Sequence, residues 1–296
     1  MPPNDASDRL DAFIAHRSRL LRLAYRHLGA VAEAEDIVQE AWLRFDGASK
    51  VEDPARLLST IVTRLCLDRV KSADSRHLDY VGQWLPEPAG GDTFEAADDR
   101  SLDISFAVMR TLERLSAAER AAYFLHDLWD LSFDEISSTL SRSPEACRKL
   151  ASRARNAIRK SPHRFTPSET DLNRFVSVFR KSVESGDPGP LKALLAEDAE
   201  LVADGGGKKI AALNVIQGAN AVSRFLFGIA RKNPDPGSLK VVKTTINDAP
   251  SLIVFLSGQV DQTFAFDLDS AGMIAAIYIV RNPDKLARLT REIDLR

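Results

Sequence analysis

The chain has few of the residues that build disulfide scaffolds and metal centres. Its 296 residues include only two cysteines and five histidines, and the histidines do not have the spacing of metal ligands. Cys66 and Cys147 both fall in helical patterns, so we expect two buried thiols in a reducing compartment. The sequence therefore predicts neither a disulfide framework nor a metal site.

Long apolar runs and an excess of one charge are also absent. No stretch approaches the roughly 18 consecutive apolar residues of a membrane span, and the first ten residues lack the pattern of a signal peptide. We therefore expect a cytoplasmic protein with no membrane partner. The formal net charge is −2, so binding to nucleic acid would have to depend on local basic patches.

The strongest basic patch lies between residues 131 and 160 and has the pattern of a helix-turn-helix. Apolar spacing predicts a first helix over Phe133–Leu140, and Ser143 followed by Pro144 is a typical start for a second. The expected apolar stripe of the second helix is Ala146, Leu150, Ala154, Ala157 and Ile158. Its basic residues are Arg148, Lys149, Arg153, Arg155, Arg159 and Lys160. Such a helix fits the DNA major groove, although a solvated amphipathic helix with a basic end is the alternative.

Residues 8–76 have further helical patterns. In the helix expected over Glu33–Phe45, the apolar residues follow the i, i+3, i+4 rule, and the opposite side is polar. The residues on that opposite side are Asp36, Gln39, Glu40, Leu43 and Arg44. Acids, an amide and an exposed leucine together suit a basic partner helix, although an ordinary solvated surface would have the same composition.

A longer helix is expected from Pro54 to about Arg76. Its apolar face includes Leu58, Val62 and Leu65. Its opposite side carries Arg56, Ser59, Thr60, Thr63, Arg64 and Lys71. A polar and basic strip of this kind suits a DNA backbone and unstacked bases.

The next stretch, residues 78–100, is rich in proline, glycine and acids, which predicts an extended linker. Leu85 and Glu87 both precede prolines and should be extended. Trp84 and Leu85 would then form a stiff apolar hook, and a simple proline-rich spacer is the alternative.

Helices return in residues 101–165, where Ser116 and Glu119 match a capping box. From Asp171 onward the sequence pattern changes from helices alone to helices followed by strands. We therefore expect an α+β cone with a curved antiparallel sheet and an internal cavity. The expected helices are Leu172–Val183, Leu191–Leu195, Gly218 to about Arg231, and a last one that begins at Asn282. The expected strands are Ala199–Ala203, Lys208–Leu213, Leu239–Ile246, Leu252–Ser257, Val260–Leu268 and Met273–Val280.

The cone half offers little chemistry. The run Asp204–Lys208 lacks the spacing of a phosphate loop, so we read it as a hairpin turn and expect no cofactor. Because no histidine or cysteine follows residue 165, a general base would have to be Asp204, Asp261 or Asp267. Those acids are more simply explained as turn and strand-surface residues, and no ligand of the cone is indicated.

Together these pieces resemble RNA polymerase sigma factors of the extracytoplasmic-function (ECF) class. The resemblance implies two all-α sigma domains, of which the second holds the helix-turn-helix. It implies that core RNA polymerase, through its clamp coiled coil and flap, and promoter DNA are the partners. The implied polymerase-binding residues are Asp36, Gln39, Glu40 and Leu43. The implied minus-ten contacts are Arg56, Thr60, Arg64 and Lys71, and the implied minus-thirty-five contacts are Arg142, Ser143, Arg148, Lys149, Arg153 and Arg155.

The chain also resembles the subgroup of that family with a SnoaL-like C-terminal extension. The motifs that carry this resemblance are WLPEP at Trp84–Pro88, DGGGK at Asp204–Lys208 and NPDKL at Asn282–Leu286. It implies region 2 at 1–77, a linker at 78–100, region 4 at 101–165 and a regulatory extension at 166–296. We expect the three motifs to meet. The residues expected to make regulatory contacts are Trp84, Leu85, Pro86, Asp204, Gly205, Gly206, Gly207, Lys208, Asn282, Pro283, Asp284, Lys285 and Leu286.

Two other classes of protein stay open from the residues alone. A repressor or activator with a ligand-sensing cone would bind duplex DNA tightly without polymerase. A cone enzyme fused to a DNA-binding half would turn over a small hydrophobic substrate. The acidic side of Glu33–Phe45 favours a sigma factor over the first, and the missing histidines argue against the second.

Overall fold

The computed structural model of the chain forms two compact units. It describes residues 6–49, 51–78, 80–91, 93–94, 102–160, 165–231 and 238–294. A helical unit contains residues 1–79, 92–104 and 108–162, and a sheet unit contains residues 80–91, 105–107 and 163–296. The predicted linker is therefore divided: its first part belongs to the sheet unit, and residues 95–100 lie outside the described residues.

The first half of the chain is helical. Its helices are α1 (Ala6–Leu28), α2 (Val31–Asp46), α3 (Pro54–Leu78), α4 (Phe106–Glu113), α5 (Ala117–Tyr123), α6 (Phe133–Leu140) and α7 (Pro144–Lys160), and a π-helix over Phe124–Leu128 follows α5. The predicted capping box at Ser116 is confirmed, and a second one, Ser132 with Glu135, begins α6. The π-helix was not predicted, because its one extra residue per turn leaves no trace in the apolar spacing.

The two thiols are buried, as predicted. Cys66 on α3 and Cys147 on α7 are both free and fully enclosed. Burial raises the pKa of each thiol, so both stay protonated at neutral pH and behave as small apolar side chains.

The second half of the chain forms a six-stranded sheet with helices. The helices are α8 (Glu169–Ser185), α9 (Gly189–Lys192), α10 (Ala219–Arg231) and α11 (Pro283–Asp294). The strands are β1 (Leu195–Asp204), β2 (Ile216–Gln217), β3 (Leu239–Ile246), β4 (Ala249–Leu256), β5 (Gln259–Leu268) and β6 (Ile274–Val280), in the order β2-β1-β6-β5-β4-β3. The α+β class is as predicted.

Three details of the predicted sheet are wrong. Lys208–Leu213 is not a strand, because the partner of β1 is the two-residue β2. Leu195 begins β1 instead of ending a helix. The sheet is mixed instead of antiparallel, since β1 pairs with β6 in parallel. Residue alternation predicts that a segment is pleated but not which distant segment it pairs with.

Each face of the sheet is covered by different elements. One face packs on α8, α9 and α10 and is filled with side chains such as Phe175 and Phe266, whose ring centroids lie 4.7 Å apart. The other face is covered by Leu85, by Phe106 at the start of α4, and by Leu286 of α11. The linker segment is therefore part of the hydrophobic core of the sheet unit.

No helix among the described residues has the length and apolarity to span a bilayer. No group of histidine, cysteine, aspartate and glutamate side chains in those ranges could hold a metal ion.

Candidate functional site

The polar side of α2 faces solvent in the helical unit. The helix buries Ile37, Val38, Ala41 and Phe45, and Leu43 on the other side is 70% exposed. Asp36 and Gln39 are exposed too, and Glu40 accepts from Arg44 at 2.6 Å. The predicted polymerase-binding residues thus form one accessible face.

An apolar groove runs beside this face. It has a volume of about 330 Å³, and its lining includes Phe13, Trp42, Leu43 and Gln39. The Phe13 and Trp42 rings lie 5.1 Å apart. An exposed leucine at the edge of such a groove is a suitable anchor for a partner helix.

The helix-turn-helix forms at the predicted residues, and α6 has the predicted bounds. The hydroxyl of Ser143 caps α7 by accepting from the amide of Ala146 at 3.2 Å. The buried stripe of α7 is shifted from the predicted one, because Cys147, Ala151 and Ala154 are buried whereas Ala146 and Leu150 are only partly so. The predicted DNA contacts that remain exposed are Arg142, Ser143, Arg148, Lys149 and Arg153.

The basic side chains of α7 differ in how they are held. Arg155 donates to Asp127 of the π-helix at 2.6 Å and is only 28% exposed, so it is the least available of the predicted DNA contacts. Arg148 lies 5.1 Å above the ring of Phe133. Lys149 pairs with Glu145 at 2.6 Å on the surface.

The basic strip of α3 is in contact with α6 and the turn before it. Arg56 binds the Glu135 carboxylate and the Asp130 carbonyl, and Arg64 donates to the Ser138 carbonyl. Thr60 is partly exposed, and Lys71 is 75% exposed.

Two members of the predicted strip on α3 are not accessible. Ser59 and Thr63 are both 0% exposed, and the hydroxyl of Ser59 donates to the carbonyl of Arg56. Ser59 can enter the buried face because its hydroxyl reaches that backbone carbonyl. The hydroxyl of Thr63 has no hydrogen-bond partner among the described residues.

Three arginines of α1 were missed by the sequence reasoning. Arg19 lies 4.2 Å from the centroid of Trp129, Arg22 lies 5.0 Å from Phe94, and Arg26 lies 4.8 Å from Phe124. Arg22 and Arg26 are almost fully buried, and burial lowers the pKa of Arg26 to about 10. Their spacing of three and four residues places them on one side of α1, but arginines are mostly exposed in proteins, so the sequence did not indicate their burial.

In the sheet unit, the three motifs meet at the carboxylate of Asp204, which is 0% exposed. Its Oδ2 accepts from the amide of Leu85 at 2.9 Å and from Lys285 Nζ at 2.7 Å. Its Oδ1 accepts from the hydroxyl of Tyr80 at 2.6 Å and from the amide of Gly206 at 3.0 Å. Four donors from the linker, the turn and α11 therefore satisfy both oxygens of one buried carboxyl group.

Lys285 completes this cluster from α11. Its Nζ lies 4.9 Å from the ring centroid of Tyr80 and 4.4 Å from that of Trp84, and it donates to the carbonyl of Leu85. Asn282 donates to the hydroxyl of Tyr80 at 3.0 Å. Burial, followed by the bond to Asp204, raises the pKa of Tyr80, so the phenol remains a donor.

The glycine turn leaves no space for a side chain. A Cβ atom at Gly206, where φ is +58°, would lie 2.2 Å from Asn282 Nδ2, and one at Gly205 would lie 2.2 Å from the carbonyl oxygen of Lys209. The last residue of the turn, Lys208, pairs with Asp284 on the surface. The turn is therefore a contact surface, consistent with its failure to form the predicted hairpin.

The other two acids considered as a general base, Asp261 and Asp267, are also bound to neighbouring side chains. Asp261 binds Arg281 at 2.9 Å, and Asp267 accepts from the hydroxyl of Tyr278 at 2.6 Å. Asp267 lies next to Ala265 and Tyr278 in the core on the linker side of the sheet. It does not point into the core beneath α8 and α10, where the predicted cavity would have been.

The sequence is similar to known families along most of its length. A family model for Sigma-70 region 2 matches residues 12–76, and one for Sigma-70, region 4 matches residues 105–158. The ECF RNA polymerase sigma factor SigJ of Mycobacterium tuberculosis is 39% identical over 226 residues, which cover 74% of this chain and 72% of the relative. The probable ECF sigma factor SigI of the same species is 31% identical over 290 residues, which cover 95% and 96%.

A solved structure is similar to this chain over most of its length. The crystal structure of M. tuberculosis SigJ is 31% identical, with a TM-score of 0.71, and the match covers 94% of this chain and 98% of that one. The match thus includes the helical unit and the sheet unit that follows it. On these grounds the chain belongs to the extracytoplasmic-function RNA polymerase sigma factors.

Proposed function

We propose that this sigma factor binds core polymerase through α2, reads promoter DNA through α3 and α7, and is controlled by the hold of its own sheet unit on the linker. Sigma factors bind core RNA polymerase and promoter DNA, and theirs is not an enzyme family. The single observation that carries the proposed control is the burial of Asp204 with donors from all three motifs.

The docking face of α2 is proposed to contact the clamp coiled coil of the polymerase. Asp36, Gln39 and Glu40 would bind basic residues of that coiled coil, and Leu43 would enter the interface as its apolar anchor. The exposure of Leu43 and the adjacent groove support this role. Region 4 is proposed to bind the flap.

Promoter recognition is proposed to use both basic helices. Arg142, Ser143, Arg148, Lys149 and Arg153 of the helix-turn-helix would enter the major groove of the minus-thirty-five element, and Arg155 would orient α7 through Asp127. Arg56, Thr60, Arg64 and Lys71 of α3 would bind the melted minus-ten element. Losing one bidentate arginine contact would reduce discrimination by roughly 1–3 kcal/mol.

Control by the sheet unit is proposed to act through chain connectivity. Residues 80–91 connect α3 to α4 in the sequence, so they separate the two DNA-reading regions. While Asp204 and Lys285 hold this segment, the connection cannot extend freely. Binding of polymerase or of a signal to the sheet unit would change that hold and thereby the promoter output.

The test is run-off transcription with purified core polymerase on a promoter selected from a random-sequence library. Leu43→Lys should lower both polymerase capture and transcript by about tenfold or more, because it puts a cation against a basic partner. Leu239→Lys, at a leucine that is 40% exposed on edge strand β3, is the matched control and should leave both unchanged. Equal losses in the two variants would refute docking by α2.

The proposed control is tested in the same assay. Trp84→Ala removes the ring beside Lys285 and should change transcript output relative to wild type. Unchanged output together with an unchanged hydrodynamic radius would refute control through the linker.

A further inference from the structure

The two arginines of α3 proposed to bind melted DNA already have a protein ligand within the helical unit. We propose that α6 and the turn before it mimic DNA, so that promoter DNA and α6 compete for Arg56 and Arg64. This inference rests on the proposed function of α3. It gives the first helix of the helix-turn-helix a second role, as the internal occupant of the region 2 surface.

Arg56 donates from one outer nitrogen to a carboxylate and from the other to a backbone carbonyl oxygen. Its Nη1 lies 3.0 Å from Glu135 Oε1 and 3.3 Å from Oε2, and its Nη2 donates to the carbonyl oxygen of Asp130 at 2.8 Å. A carboxylate offers the planar pair of oxygens that a guanidinium fork also finds on phosphate. The Asp130 carbonyl offers the acceptor that a base edge would provide.

A second arginine of α3, Arg64, also donates to a backbone carbonyl of α6. Arg64 Nη2 donates to the carbonyl oxygen of Ser138 at 3.3 Å. Arg56 and Arg64 are two helical turns apart on α3, and Asp130, Glu135 and Ser138 follow one another along α6 and its preceding turn. Arg56 and Arg64 therefore bind successive acceptors along one segment, as they would bind successive phosphates along a nucleic acid strand.

The backbone at Asp130 and the capping box at Glu135 orient these acceptors toward α3. Asp130 has φ of +52°, an uncommon backbone conformation outside glycine that follows directly on the π-helix. The capping box fixes the Glu135 side chain, because its Oε2 accepts from the amide and the hydroxyl of Ser132. These bonds, and after them the charge of Arg56, lower the pKa of Glu135, so the carboxylate stays ionised.

The contact is weak enough to be displaced. The side chains of Arg56 and Glu135 are 41% and 45% exposed, and they border a polar cleft of about 420 Å³ that also contains His126. Ion pairs with this exposure contribute little to stability. DNA brought into place by polymerase can thus replace α6, whereas free DNA has to compete with it.

The experiment measures binding of the full chain to a fluorescent single-stranded oligonucleotide of mixed sequence. Glu135→Gln removes the charge and keeps the capping box, in which glutamine replaces glutamate. We expect its binding to be about two- to fivefold tighter than that of wild type. The control is Asp171→Asn, which removes the charge from the matching capping box of α8 in the sheet unit, formed with Ser168.

Each outcome supports or overturns the inference. Tighter binding in Glu135→Gln alone, lost again when Arg56→Gln is added, supports it. Wild-type binding in Glu135→Gln, or an equal gain in Asp171→Asn, overturns it and leaves the role of α3 standing if Arg56→Gln still lowers run-off transcription. Binding and transcription that are both indifferent to Arg56→Gln overturn the proposed role of α3 and the inference with it.

Discussion

The two units contain the same kind of ionic contact in different surroundings. In the sheet unit, Lys285 and Asp204 are 2.7 Å apart, with side chains that are 14% and 0% exposed. In the helical unit, Arg56 and Glu135 are 3.0 Å apart, with side chains that are 41% and 45% exposed. Each cation also donates to a backbone carbonyl, so burial is the main difference between them.

Burial decides what each contact can do. Removing one partner of a buried pair leaves an uncompensated charge, which typically costs 3–5 kcal/mol. An exposed pair contributes roughly 0–1 kcal/mol, since water solvates either partner well. The sheet unit therefore holds the linker firmly, and the contact between α3 and α6 can open without unfolding anything.

The largest expected effect comes from Lys285→Met, which fills the same volume without the charge. We expect the free energy of unfolding of the sheet unit to fall by about 3–5 kcal/mol, because Asp204 loses its only cationic partner among the described side chains. Hydrogen exchange resolved by peptide measures this unit separately from the helical one.

Its matched control is Lys208→Met in the neighbouring motif. Lys208 pairs with Asp284 at 2.5 Å, and their side chains are 55% and 64% exposed. A change below about 1 kcal/mol is expected there. Similar losses in the two lysine variants would contradict the link between burial and strength on which the comparison depends.

A smaller effect is expected from Gly206→Ala. An alanine with a left-handed backbone costs roughly 1–2 kcal/mol, and here its Cβ would also collide with Asn282. Gly186 also has a positive φ, of +76°, but no atom lies within 4 Å of the position of an added Cβ. Gly186→Ala therefore measures the cost of the left-handed backbone alone. The sheet unit should lose more stability in the first variant than in the second, by hydrogen exchange. Equal losses of stability in the two variants would mean that the contact between Gly206 and Asn282 does not stabilise the turn.

Acid should weaken one unit more than the other. His27 on α1 is fully buried, and burial, followed by the charges of Arg120 and Arg26, lowers its pKa well below the ordinary value. Because the unfolded chain takes up a proton below about pH 6.5 and the folded chain does not, stability is lost as the pH falls, by up to about 1.4 kcal/mol per pH unit.

Hydrogen exchange at pH 7.5 and 5.5, corrected for the intrinsic rate, measures this loss. His27→Leu should reduce it in the helical unit. Residues 165–294 contain no histidine, so the sheet should respond little over this range. A sheet that weakens as much as the helical unit would contradict the assignment to His27.

The smallest effect is expected for Glu135→Gln, the exposed counterpart of the lysine variant. It should lower the free energy of unfolding of the helical unit by less than about 1 kcal/mol, as measured by urea denaturation. A loss as large as that of Lys285→Met would mean that the contact between α3 and α6 is structural and unsuited to opening.

The elements that the sequence predicted well are those set by near neighbours. The bounds of α6 and the capping box at Ser116 follow from apolar spacing and from side chains three residues apart. The strand wrongly predicted over Lys208–Leu213 rested on the glycine turn before it, which is a local signal for a hairpin. It fails because β1 takes its long partner, β6, from more than 70 residues further along the chain.

The candidate sites divide in the same way. The exposed faces of α2 and α7 could be predicted because helical spacing separates their apolar and polar sides. The ring contacts of the α1 arginines and the pairing of Arg56 with Glu135 could not, since the partners lie far away in the sequence. Burial of Ser59 and Thr63 was also missed, because serine and threonine side chains are mostly exposed in folded proteins.

The sequence by itself determined the family, the helices and the three motifs of the sheet unit, because each depends on residues within a few positions of one another. Only the tertiary structure decided that Asp204 is buried, that it binds Leu85 and Lys285 at separations of 119 and 81 residues, and that α6 contacts Arg56 and Arg64 of α3. Burial and long-range pairing depend on which distant segments come together, and the strength of a charge contact depends on the solvent that those segments exclude.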